Sequence, residues 1–149
     1  MTVTTTLTVP TTAPALGERS TSKQETFKQI RRTGVRAGLA ASVATSTTAA
    51  VASALDVSLK VGGKAIPVLG FAQLTFIAAI IGTVIAVAMS NRAIRPRRTF
   101  VTSTIALTAL SIVPDVTADA HTTTRFVLAL THVVAASIVI PALASRLTD

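Results

Sequence analysis

The apolar positions of this 149-residue chain gather into four long runs, 35–55, 66–90, 99–118 and 124–145, separated by short polar and basic stretches. Each run is close to the roughly 20 residues that an α-helix needs to cross a hydrocarbon core about 30 Å thick. The runs are too long for barrel strands and do not alternate as strands would. The pattern predicts an all-α membrane protein, a four-helix up-down transmembrane bundle. Runs two and four are apolar enough to insert alone. The first is rich in Ala, Ser and Thr, and the third contains Pro114 and Asp115, so both are expected to insert as partners of the others.

Between the first two runs the period changes. In Asp56-Val-Ser-Leu-Lys-Val-Gly-Gly-Lys-Ala-Ile-Pro67, the apolar Val57, Leu59 and Val61 alternate with polar residues. Gly62-Gly63 then supplies the positive-φ pair that a two-residue hairpin turn requires. Pro67 ends the pairing and opens the second helix. A short extracytoplasmic β-hairpin is expected, and because an isolated hairpin is marginal it must pack on helix ends or on a partner.

The start of the chain reads differently. Residues 1–21 are rich in Thr, Pro and Ser and lack a basic stretch followed by an apolar one, so no secretory signal is expected. They are read as a disordered cytoplasmic tail, with 22–149 as the transmembrane domain. Ser22-x-x-Glu25 fits a capping box that would begin the ordered part.

Charge adds an orientation. Half the residues are hydrophobic and 13% are charged, against about 25% charged in soluble domains. The net charge of +8 could point to nucleic acid, but the chain has five Phe, no Trp and no Tyr for stacking, and its basic residues lie between apolar runs. No nucleic-acid partner is expected. Placing the N-terminus, the 91–98 loop and the C-terminus in the cytoplasm puts eleven basic residues there: Arg19, Lys23, Lys28, Arg31, Arg32, Arg36, Arg92, Arg95, Arg97, Arg98 and Arg146. Three, Lys60, Lys64 and Arg125, fall outside. This is the positive-inside pattern of a multi-pass plasma-membrane protein with both termini cytoplasmic. Arg31, Arg32, Arg36, Arg92, Arg95, Arg97 and Arg98 are then placed to meet anionic lipid headgroups.

Apolar area does not drive helices together in lipid, whereas small residues that let backbones approach do. Gly34, Gly38, Ser42 and Ser46 form such a stripe on the first helix, and Ala78, Gly82 and Ala86 on the second. The stripes fit either packing of these two helices on each other, the favoured reading, or a homo-oligomer seam. Thr45, Thr47 and Thr48 can bond to carbonyls one turn earlier.

Polar side chains inside the bilayer are the candidates for a site. At about 1.5 Å per residue, Gln73, Asp115 and His132 all fall in the outer leaflet and form a candidate polar cluster. An intramembrane carboxylate costs roughly 2.5–3.5 kcal/mol and is expected to be paired, here with His132. Such a pair fits a proton relay or a headgroup pocket. It also fits a structural role, with Asp115 capping a broken helix and His132 bonding between helices. Arg125, Ala129, His132 and Ala136 share one face of the fourth helix, expected to point inward. Pro141 is expected to kink that helix by freeing the carbonyl of Ser137.

With no Cys, thiol chemistry and Cys-ligated metals are excluded. Asp119 and His121 are only two ligands of the four a metal site wants. No metal or cofactor is expected.

Two stretches, AIPVLGFAQLTF at 65–76 and LTHVVAASIVIPALASRL at 130–147, resemble an uncharacterised family of small four-helix actinobacterial membrane proteins, a domain of unknown function. The resemblance covers about 30–147. It implies one four-helix membrane domain with a His at the position of His132, and no activity. Small multidrug exporters of this size need a membrane-embedded Glu in the first helix, which is absent here. Quinone-coupled thiol oxidoreductases need Cys pairs, and a bis-His haem site needs a second intramembrane His. The expectation is a non-enzymatic accessory or interaction subunit of the cell envelope, with a homo-oligomer or a membrane-protein partner both open. The alternative is a small transporter or channel using Gln73, Asp115 and His132.

Overall fold

The computed structural model describes residues 16–149, with side chains from residue 21 onward. Its elements are α1 (Leu16–Ala54), β1 (Lys60–Val61), β2 (Lys64–Ala65), α2 (Val68–Arg92), α3 (Pro96–Thr117) and α4 (Thr122–Ala144). All four helices are long and apolar enough to cross a membrane. Large apolar side chains such as Leu69, Leu74, Val84, Leu110 and Phe126 lie on the outer surface. A soluble monomer rarely exposes so much apolar area, and a lipid-facing surface requires it.

α1 is longer at its N-terminal end than the apolar run suggests. It begins at Leu16, so residues 16–21, expected in an unstructured tail, are helical, and the rest of that expectation lies outside the described residues. Ser22 is therefore not a cap. It lies inside the helix, and its carbonyl accepts from Thr26 Oγ1 at 3.1 Å. The physical reason is propensity: Lys23, Gln24, Glu25, Lys28 and Gln29 are good helix formers with nothing among them to stop the helix. At its other end α1 stops with Asp56 at φ 58. Val57 N–H donates to Ala52 O at 3.0 Å and Asp56 N–H to Ser53 O at 3.2 Å. These two bonds make a Schellman cap, with Asp in the left-handed position more often held by Gly.

The hairpin forms as expected. Lys60 pairs with Ala65 and Val61 with Lys64, and Gly62 and Gly63 take φ values of 56 and 74. It packs on helix ends. Gly62 N–H donates to Asp119 O at 2.9 Å, Thr124 Oγ1 donates to Ser58 O, and Leu59 is buried with Ala49, Ala52, Phe71, Val127 and Leu128.

α1 packs on α2 and α4, while α3 packs on α4 and α2. A Cβ on Gly34 would lie 2.0 Å from Thr83 Oγ1, and one on Gly38 would lie 2.9 Å from Ala79 Cβ. Ser42 Oγ shares its proton between Gly38 O at 2.8 Å and, across to α2, Ala72 O at 3.0 Å, and Thr45 Oγ1 pairs with Thr75 Oγ1 at 3.0 Å. Gly34, Gly38 and Ser42 of the α1 stripe thus form the seam with α2, and Ser46 Oγ is buried with no hydrogen-bond partner. Thr47 and Thr48 bond only to their own helix, at Val43 O and Ala44 O.

On α2 the seam is displaced from Ala78 and Gly82, while Ala86 is buried in one cluster with Ile30 of α1. Ala72, Thr75, Phe76, Ala79 and Thr83 face α1, whereas Ala78 and Gly82 face away. One residue is about 100° of helix rotation, enough to move a stripe off a seam.

The core is concentrated at the two ends of the bundle. Ile30, Ala86, Phe100, Leu143, Ala144 and Leu147 close the end that carries the α2–α3 connection. The Leu59 and Phe71 cluster closes the hairpin end.

Candidate functional site

Between the two closed ends, α2, α3 and α4 do not fill the space between them. Small residues at mid-height, Ala78 and Gly82 on α2 and Ala135 and Ala136 on α4, leave a cavity of about 340 Å³ bounded on the far side by Thr104, Leu107, Thr108 and Ser111 of α3. A second cavity of about 370 Å³ lies toward the hairpin, with Val61 and Ile66 on its wall together with Phe71, Leu74, Asp115 and Thr131. Thr75, Ala78, His132 and Ala135 line both cavities. The two adjoin along these residues and are taken together as the chambers of one crevice, with His132 at the neck. Ile81 and Leu107 line the first chamber and are exposed, as are Leu74 and Pro114 in the second. The crevice opens sideways, between α2 and α3.

Asp115 and His132 come together as expected. His132 Nδ1 lies 2.9 Å from Asp115 Oδ2 and 3.1 Å from Leu128 O, with which it bonds. The ring N–H is aimed at the carbonyl. The carboxylate oxygen sits beside that axis, buried and without an aligned hydrogen bond. A carbonyl can only accept, so Nδ1 carries a proton. In the neutral ring Nε2 then presents its lone pair. α3 is not broken at Pro114 and runs on to Thr117, so Asp115 does not cap a broken end. α4 likewise runs through Pro141 to Ala144.

Gln73 does not join the pair. It is exposed and lines neither chamber. Depth in the bilayer follows from residue counting, but direction depends on helix phase. Gln73 and Thr75 are about 200° apart around α2, and Thr75 is the one that faces the crevice. Arg125 reaches the end of α3, where Nη1 donates to Val116 O at 3.2 Å. The expected inward face of α4 thus turns toward α3 at Arg125 and His132.

Some crevice residues were missed from sequence. Thr104, Thr108 and Ser111 stand at i, i+4 and i+7 on α3, a polar stripe on one face of an apolar helix. Their hydroxyls bond to Phe100 O, Thr104 O and Thr108 O, so they soften an apolar wall without seeking partners. The seven expected lipid-facing arginines, Arg31, Arg32, Arg36, Arg92, Arg95, Arg97 and Arg98, are all exposed. Arg31 lies over the Phe27 ring at 5.7 Å. Among the described residues, no three His, Asp or Glu side chains are placed to hold a metal ion.

A family model, that of a family of unknown function, matches residues 25–149. The chain belongs to this family, DUF6069. The DUF6069 match spans all four apolar helices, the hairpin and both walls of the crevice, and includes Asp115 and His132. No curated protein and no solved structure matches the chain.

Proposed function

We propose that this DUF6069 protein is a multi-pass cell-membrane protein that takes an amphipathic molecule from the bilayer into the crevice between α2, α3 and α4. It holds that molecule without chemical conversion. Such binding is the step shared by a small transporter and by a lipid-handling accessory protein. The observation that carries the reading is the pair of adjoining chambers, about 340 and 370 Å³, that meet at the Asp115–His132 pair and open toward the lipid side. Each volume falls in the range of small-molecule sites, which are largely apolar with a few fixed polar groups.

In this reading the helices run up-down and both termini are cytoplasmic. Residue numbers rise along α1 as they fall along α2, from Gly34 beside Thr83 to Gly38 beside Ala79. The basic residues at the α2–α3 connection and the N-terminal part of α1 support the orientation. Anionic headgroups on that side are the expected partners of the exposed arginines.

The test uses a dodecanol carrying a diazirine near its tail, with the full chain in lipid nanodiscs. Saturable labelling of residues around Thr104, Leu107 and Ile140 is expected, and Ala135→Phe, which fills the neck, should abolish it. Labelling confined to outward residues such as Leu69 and Val133, unchanged by Ala135→Phe, would overturn the reading.

A second reading, an interaction subunit, is favoured by α1 itself. At 39 residues it is about 58 Å long, well beyond the roughly 30 Å of a hydrocarbon core. Every residue from 21 to 29 is exposed. This extension is where a membrane-protein partner or a second copy would be held. Affinity capture of the full chain from native membranes, with and without residues 16–28, tests it: a stoichiometric partner lost with the extension supports a subunit role, and a partner held equally by both forms removes the extension from it.

A further inference from the structure

The polar groups of the hairpin-side chamber are acceptors. Asp115 contributes a carboxylate whose Oδ2 is buried without an aligned hydrogen bond. His132 lines the same chamber, and in its neutral form, with the Nδ1 proton on Leu128 O, its Nε2 is a lone-pair acceptor. The two hydroxyls on the wall are already hydrogen-bonded. Thr131 Oγ1 donates to Leu128 O at 2.7 Å. Thr75 Oγ1 shares a hydrogen bond with Thr45 Oγ1 at 3.0 Å. Helical N–H groups are already used within the helices. No Lys or Arg lines either chamber, and among the described residues the one basic group within ion-pair distance of Asp115 is His132.

A carboxylate and an imidazole acceptor facing a largely apolar crevice select a ligand that brings N–H donors and positive charge. The first chamber, beyond the neck, offers Ile81, Ile85, Leu107, Val139 and Ile140 to an apolar chain. We infer that the crevice binds an amphipathic primary amine, with its ammonium group at Asp115 and His132 and its single apolar chain past Ala135 into the inner chamber. This inference rests on the crevice reading above and adds the chemical class of the occupant.

The test compares dodecylammonium, dodecyltrimethylammonium and dodecanol as competitors of the diazirine-dodecanol label on the full chain in nanodiscs of neutral lipid. Dodecylammonium should compete at least about tenfold better than dodecanol, the scale of a charge-assisted hydrogen bond. The trimethyl compound, which has charge but no N–H donor, should fall between them. Asp115→Asn should remove the preference for dodecylammonium while labelling by the dodecanol probe persists. Should Asp115→Asn fail to accumulate, the ranking of the three competitors on the unaltered protein decides. Equal competition by all three, with labelling still saturable, would overturn the amine inference and leave the crevice reading standing. Absence of saturable labelling would overturn both.

Discussion

The seam between α1 and α2 makes a sharp prediction at Gly34. A methyl group placed there would lie 2.0 Å from Thr83 Oγ1, 2.7 Å from Thr83 Cγ2 and 2.9 Å from Thr83 Cβ. Carbon atoms settle at about 3.5–4.0 Å, so Gly34→Ala needs the helices to part by roughly 1.5 Å. A rotamer change at Thr83 cannot relieve it, because Cβ itself is too close. Parting the helices would stretch the bond from Ser42 Oγ to Ala72 O, now 3.0 Å, and loosen the contact of Gly38 with Ala79 and Phe76. Overpacking costs about 1–3 kcal/mol, and three atoms within 2.9 Å put this case at about 2–3 kcal/mol, against a gain of about 1 kcal/mol for replacing Gly by Ala in a helix. Gly34→Ala should therefore lose about 1–2 kcal/mol, measured by steric trapping or by titration with a denaturing detergent. Thr83→Ala removes the two atoms at 2.0 and 2.7 Å and leaves the one at 2.9 Å, so the double variant should recover about half the loss through a coupling of the kind that contacting residues show. A Gly34→Ala stability within about 0.5 kcal/mol of the parent, or no recovery by Thr83→Ala, would refute the seam.

Gly82 faces the crevice, where a Cβ would meet Leu143 and Val139 only at 3.9 Å; Gly82→Ala should be neutral or stabilising by up to about 1 kcal/mol in the same assay. The hydroxyl pair of Thr45 and Thr75 crosses the seam at 3.0 Å, and a Thr45→Val, Thr75→Val double-mutant cycle should return a coupling of about 0.6 kcal/mol, the average for such bonds in membranes. Gly63 has φ 74, so Gly63→Val should cost about 1–2 kcal/mol locally and speed amide exchange at Gly62, whose N–H is held by Asp119 O.

Much of this architecture is written in the sequence because lipid constrains it strongly. The four runs and the Gly62-Gly63 turn are legible because each is a local demand, one of hydrocarbon thickness and the other of positive φ. The contact of Asp115 with His132 was legible because few polar groups share that depth. What was not legible depends on azimuth. Hydropathy marks where α1 enters lipid, not where the helix begins, so the turns from Leu16 onward were hidden. Gln73 has the right depth and faces outward. Ala78 and Gly82 look like a packing stripe, and only the neighbouring helices show that they border empty space instead.

That last ambiguity bears on function. In a membrane bundle, small residues do opposite things depending on what stands across from them. Gly34 and Gly38 meet Thr83 and Ala79 and close a seam. Gly82 looks toward Leu143 and Val139 at the limit of contact, and Ala78, Ala135 and Ala136 leave volume beside it. Large side chains were available to fill that volume, since Phe100 and Leu143 fill the end just below and Phe71 the end above. A bundle closed at both ends and open in the middle keeps its shape through the ends. Its middle is then free to hold something else, and in the proposed reading the polar pair at the neck is where the head of that occupant sits.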